Sequence, residues 1–206
     1  MQTHPKLAPH LRAATAEAHS SAEGSQFVKR FVAGELDRET YQRYLLALRE
    51  IYLALEAGCS QNAEHPALRP LQFGELPRTE SIAADIRFFE TPAELSPPAA
   101  ANEYAAHLRG LAADRPVLLV AHSYVRYLGD LSGGQALAKW VTKTFDLTKD
   151  EGVDFYRFPG IASLKKFKDG YREALNDLPL SEDDHMAVIE EAKAAFRWTG
   201  KVFDAL

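Results

Sequence analysis

His19 and Glu23 stand four residues apart in "ATAEAHSSAE", a separation that brings two side chains together on one face of a helix. An imidazole held at one ring nitrogen by a carboxylate is prepared to offer its other nitrogen to a metal ion. The pair therefore has the chemistry of an axial ligand with its orienting partner. It also suits an ordinary structural histidine beside the apolar stripe of its helix. His122 is a rival ligand, because it lies seven residues, or two turns, before Gly129 and shares its face. Spacing alone does not choose between the two histidines.

The stretch "YLGDLSGGQALAKW" places Gly129, Gly133 and Gly134 within six positions where a long helix is expected. Interior glycines each cost a helix roughly 0.5–1 kcal/mol relative to alanine, so about 2–3 kcal/mol is given up here. Close helix packing is one explanation, since Gly129 and Gly133 are one turn apart, and a turn at "DLSGG" is another. The third is a side-chain-free strip against which a flat ligand lies. Phosphate is a poor fit, because the spacing matches neither a P-loop nor a dinucleotide fingerprint. Arg126, Asp130 and Gln135 exclude a membrane-dimer motif.

Lys165, Lys168 and Arg172 follow at i, i+3 and i+7 with Tyr171 beside them, a basic stripe able to hold carboxylates or simply to face solvent. Phe196 and Phe203, seven apart, line one apolar stripe, as core or as the wall of a ligand site.

The elements that position these residues are helices. Apolar residues recur at three- and four-residue spacing, and alternating strand-like runs are nearly absent. Leu7, Leu11, Ala14, Ala18 and Ala22 predict one first helix, and "SQFVKRFVAG" a short second one stopped at Gly34. Asp37 caps a long helix ending near Gly58. Residues 60 to 78 carry three prolines and read as irregular; helices follow over "TESIAADIRFFE", 99–112 and 116–146. After a looser stretch from 150 to 162 come "IASLKKFKDGYREALNDL" and a Ser-capped last helix from "SEDDH" onward. The expectation is an all-α single domain over residues 1–206 with about eight helices.

Composition narrows the class. With 206 residues, 46% hydrophobic and 26% charged, the chain is an ordinary globular one, and its net charge of −5 gives no reason to expect nucleic acid as a partner. Cys59, the only cysteine, excludes an internal disulfide or a multi-thiolate metal site. The first residues, "MQTHPKLAPHLRAATAEAHS", lack the apolar core of a signal peptide, and no window approaches eighteen uninterrupted apolar residues. A cytoplasmic protein with no membrane anchor in this chain is expected.

"AHSYVRYLGDLSGGQALAK" closely resembles the signature helix of heme oxygenases, and "ATAEAHSSAE" the segment carrying their proximal histidine. "FPGIASLKKFKDGYREALN" and "EEAKAAF" match later segments of that family in the same order. The resemblance implies an all-α fold that sandwiches heme b, cofactor and substrate at once, between a proximal and a distal helix. It makes His19 the iron ligand, oriented by Glu23, and sets His122 aside. It has Gly129, Gly133 and Gly134 clear the distal face, and gives Asp130 the main chemical role: directing protons through ordered water to dioxygen at the iron. Tyr52 and Arg126 match residues supporting that water network. Arg12, Tyr124, Lys168 and Arg172 match positions that hold the propionates and so select the α-meso carbon; Phe31, Phe196 and Phe203 match pocket aromatics. Two departures stand out: Arg12 replaces the lysine of several relatives, and Thr199 replaces an asparagine of the distal water network.

The implied activity is cleavage of heme to biliverdin, carbon monoxide and ferrous iron. The sequence has no flavin, nicotinamide or iron–sulfur motif, so electrons must come from a separate ferredoxin, flavodoxin or reductase. Lys139 and Lys143, one turn apart, form part of a docking surface for it or a plain solvated face. Two other classes have different requirements. A heme carrier would keep His19 and the basic stripe without needing Asp130, and a thiamin-degrading enzyme of similar architecture would need Cys59 as nucleophile.

Overall fold

The computed structural model describes residues 5–148 and 151–206. Residues 1–4, where the N-terminal stretch begins, and residues 149 and 150, where the looser segment begins, lie outside the described residues. Among the described residues there are nine α-helices and no strand: α1 (Leu7–Ala14), α2 (Ala16–Glu23), α3 (Gln26–Ala33), α4 (Arg38–Gln61), α5 (Thr79–Phe88), α6 (Ala99–Asp114), α7 (Leu119–Thr144), α8 (Leu164–Asn176) and α9 (Glu182–Asp204). Single 3-10 turns stand at Arg69–Leu71, Pro116–Leu118 and Asp154–Tyr156.

Local chemistry sets the ends. The side chains of Ser25, Asp37, Ser163 and Ser181 accept the N–H groups of Val28, Thr40, Lys166 and Asp184, each satisfying a donor the first helical turn leaves free. Gly34 ends α3 in the left-handed region at φ 75°.

Two expectations are corrected. The predicted first helix is two, broken at Thr15, whose hydroxyl donates to the Leu11 carbonyl at 2.7 Å. Such back-bonding competes with the helical ladder. The break turns the second half away from the core: α1 buries Leu7, Ala8 and Leu11, whereas α2 buries nothing. Gly58 does not end α4, which continues to Gln61. Its missing side chain serves packing instead, since a Cβ there would stand 3.0 Å from Ala112 Cβ and 3.2 Å from Leu119 Cδ1.

Buried α4 forms the centre, packed on α5, α6 and α7, while α9 packs across α1, α2, α3, α6 and α7. No helix among the described residues is long and apolar enough to cross a membrane.

A buried carboxylate fixes the turn after α7. Asp85 of α5 accepts the N–H groups of Asp154 at 2.8 Å and Phe155 at 2.9 Å. Asp85→Ala leaves both donors without an acceptor and should cost about 2–4 kcal/mol in denaturant unfolding. Burial pushes this carboxyl up to about 6, against the downward pull of the two N–H groups. Because the folded value exceeds the unfolded one of about 3.9, the contribution to stability is fully present below about pH 4 and is lost as pH rises through about 6. Unfolding of Asp85→Asn, which has no charge to bury, should show a flatter profile across that window.

Candidate functional site

Two contacts tie the segment from Thr15 to Phe31 onto α7. At one end Thr15 lies close enough to the Tyr124 hydroxyl to lower its pKa. At the other the Phe31 ring meets Trp140 edge-on, centroids 6.5 Å apart. Tyr124 and Trp140 are sixteen residues, about 24 Å, apart along the helix. Between these ties α2 carries His19, and α7 carries Gly129 and Gly133. Both α2 and α7 pack on α9. From α9, Phe196 presents itself edge-on to His19 with centroids 5.7 Å apart.

The His19 side chain is 55% exposed, and its Nδ1 lies 3.4 Å from Glu23 Oε2. With that nitrogen engaged, Nε2 is the atom left to bind a metal. His122 is differently placed. Fully buried, it has Nδ1 2.8 Å from the Tyr104 hydroxyl and Nε2 2.9 Å from Glu191 Oε1, so both ring nitrogens are in use. Burial pushes its pKa down and favours the neutral ring. His122 thus turns both nitrogens to protein partners, whereas the His19 ring is paired at Nδ1 with Glu23.

α7 runs unbroken through the glycines. A Cβ at Gly129 or Gly133 would meet nothing within 4 Å, so these two form a strip bare of side chains and of neighbours. Gly134 does not belong to it, contrary to expectation. It is buried, and a Cβ there would sit 3.2 Å from the Tyr156 carbonyl oxygen. The 154–156 turn that Asp85 anchors packs directly on its backbone.

Beside the strip, the Tyr52 hydroxyl donates to Asp130 Oδ2, and Arg126 Nε donates to the Tyr52 oxygen at 3.2 Å. The guanidinium also lies 5.1 Å from the Tyr52 ring centroid. Burial pushes the Asp130 carboxyl up; Arg126, Tyr52 and Arg78 pull it back without cancelling the rise. Burial works against the charge on Arg126, yet the surrounding Tyr52, Asp130, Tyr44 and Tyr104 keep it firmly protonated. The arrangement is a carboxyl with a proton affinity above normal, held by a phenol that a fixed cation orients.

Tyr44, one of the residues the sequence reading missed, lies beside Arg126, which pulls its pKa down while burial pushes it up to about 12. Tyr44 and Tyr52 lie eight residues apart on one face of α4. Two phenols buried on one helix need polar partners, and that requirement was the available signal. Arg78 was missed as well. Buried against Phe158, it donates to the carbonyls of Leu76, Glu75 and Arg157 while its charge reaches Asp130.

The basic residues lie along α7 from the Tyr124 end to its middle. Burial raises the Tyr124 hydroxyl pKa, and Thr15, Arg172 and Arg12 pull it down. One turn before Arg172, Lys168 Nζ donates to Ser132 Oγ at 3.2 Å, next to Gly133. Arg172 also pairs with Asp169 at 2.9 Å. The aromatics form a joined cluster: Phe27 stacks on Phe203 with centroids 5.0 Å apart and on Phe31 at 5.9 Å. Phe31 is buried, whereas Phe196 and Phe203 are partly exposed. The Thr199 hydroxyl donates to the carbonyl of Ala195 at 2.9 Å, which engages its proton within α9. Cys59 lines a cavity of about 270 Å³ with Leu71, Phe73 and Ser123. Burial pushes its thiol up to about 11, which removes the thiolate a nucleophile requires.

The heme oxygenase family model matches residues 5–205. A heme oxygenase of Porphyra purpurea is 39% identical, the alignment covering 97% of this chain and 86% of that protein. Heme oxygenase 1 of Synechocystis is also 39% identical, with 97% and 84% covered. Among solved structures, a heme oxygenase from Leptospira interrogans superposes with a TM-score of 0.94 at 36% identity, covering 98% of this chain and all of that one. Heme oxygenase-1 from Synechocystis in complex with heme superposes at 0.92 and 39% identity, with 97% and 91% covered.

Proposed function

The chain belongs to the heme oxygenase family, and from that premise we propose that this heme-degrading enzyme takes heme b between α2 and α7 and opens it to biliverdin, carbon monoxide and ferrous iron. Bound heme supplies the iron at which dioxygen is activated and is itself the substrate. The observation that carries the reading is the pairing, between the same two ties, of a histidine with one nitrogen free and a strip of α7 with nothing above it. The fit is good on the protein side: α2 buries no residue of its own, so a flat apolar ligand gives it a surface to cover.

His19 binds iron through Nε2, and Glu23 fixes the ring at Nδ1. Arg12, Tyr124, Lys168 and Arg172 would hold the propionates of the ring and so fix its orientation. Asp130, oriented by Tyr52 and Arg126, would hold a proton at its carboxyl and pass it toward the strip side of the ligand. Phe196 and Phe203 exclude bulk solvent from the opposite side. Residues 5–205, the span of the family match, act as one catalytic unit. Electrons arrive from a ferredoxin, flavodoxin or reductase in the cytoplasm, for which exposed Lys139 and Lys143 on α7 offer a positive surface.

The test is an absorption time course of the protein with hemin, given ferredoxin and its reductase in air with a carbon monoxide trap. Loss of the Soret band with growth of biliverdin and carbon monoxide is expected. Heme that survives reduction and oxygenation unchanged would make the protein a carrier.

The two kinds of glycine make a further prediction. Gly133→Ala should raise unfolding stability by about 0.5–1 kcal/mol through helix propensity, yet lower heme turnover because its methyl enters the strip. Gly134→Ala should shift the thermal midpoint down through its contact with Tyr156 and affect heme less directly. Parallel melting curves and turnover assays check the contrast; equal turnover by Gly133→Ala and the unaltered protein would remove the strip from the site.

A further inference from the structure

We propose that His107, His122 and Glu191 form a binding site for a divalent transition-metal ion, separate from the heme cleft. The three side chains converge from α6, α7 and α9. Glu191 Oε1 lies 2.7 Å from His107 Nε2 and 2.9 Å from His122 Nε2, and the potential ligand atoms all fall within 4.8 Å of one another. Two imidazoles and one carboxylate are the donor set of borderline ions such as Zn²⁺, Ni²⁺ or Fe²⁺, not of Mg²⁺ or Ca²⁺.

Metal–ligand bonds of about 2.0–2.2 Å in a tetrahedral site place ligand atoms about 3.3 Å apart, so a small outward opening of the triad admits the ion. His107 and Glu191 are partly exposed, at 29% and 13% of their side chains, and provide both the approach and room for a water as fourth ligand. His122 is the buried, fixed member. Its Nδ1 faces the Tyr104 hydroxyl at 2.8 Å, a contact of the kind that orients metal-binding imidazoles. Coordination needs no net loss of protons from neutral rings. Each imidazole carries its proton on Nδ1, His122 then donating to the Tyr104 oxygen, and Nε2 receives the metal.

Trp198 gives the site its reporter. Its ring stacks on Tyr104 with centroids 5.8 Å apart and lies 5.5 Å from His107. The untagged chain is titrated with Ni²⁺ while tryptophan emission is followed, with Zn²⁺ as competitor, Mg²⁺ as the hard-cation comparison and calorimetry for stoichiometry. Expected are quenching by one Ni²⁺ per chain, its reversal by Zn²⁺ and no response to Mg²⁺. His107→Ala, at a partly exposed position, should weaken binding at least about 10-fold. Trp198→Phe should abolish the quenching while the calorimetric stoichiometry stays at one, and His19→Ala should leave both signals unchanged. Absence of binding, equal affinity in His107→Ala, or loss of the signal in His19→Ala overturns the proposal and leaves the triad as a hydrogen-bonded support for α9.

Discussion

His19→Ala is expected to lower heme turnover by at least about 100-fold, since replacing even the partner that orients a ligand commonly costs 10- to 100-fold. The same substitution should barely change unfolding. His19 is largely exposed, and its helix contributes no residue to the core, so the effect on stability should stay within about 0.5 kcal/mol. Heme should still enter through the basic rim and the aromatic wall, giving an altered Soret band in place of a histidine-ligated one. Added imidazole, able to fill the space vacated, should restore part of the original spectrum. A variant with unchanged spectrum and turnover would transfer the axial role to another residue.

Asp130→Asn should leave heme affinity nearly unchanged and reduce turnover by about 10²- to 10⁴-fold, the range over which a positioned proton donor contributes. Asparagine keeps the shape and an acceptor for the Tyr52 hydroxyl but has no carboxyl proton to exchange. Burial already disfavours the charge that the substitution removes, while Arg126 loses one of the groups that hold its own charge, so unfolding stability should fall measurably. Comparing single-turnover rates under rapid reduction with heme dissociation constants separates the two effects. A fall in affinity equal to the fall in rate would make Asp130 a binding residue.

What could be read from the sequence follows the distance over which its causes act. The His19–Glu23 pair is visible because both partners lie on one helical turn, and the Asp37 and Ser181 caps because each bonds three residues ahead. The bare strip was legible as an anomaly, since glycine in a long helix needs an explanation. Sequence could not separate Gly133 from Gly134, because the difference lies in a turn more than twenty residues later that packs on only one of them. The Tyr44–Arg126–Tyr52 cluster joins α4 to α7, and the anchoring of the 154–156 turn joins it to α5; in both the partners are far apart in sequence, so spacing does not pair them. The break at Thr15 is intermediate: a mid-helix threonine was present, but its hydroxyl bond to Leu11 became evident only in three dimensions.

The failure of α2 to bury any residue of its own has a consequence for how the catalytic cycle ends. A helix of eight residues is too short to persist on propensity alone, so its amides should exchange with solvent quickly in the free protein and become protected once the planar ring is in place. On the proposed reading, a bent, iron-free product would offer α2 no flat face to cover and His19 no metal to hold. The helix should then loosen, and hydrogen exchange in α2 should return toward that of the free protein once the product forms.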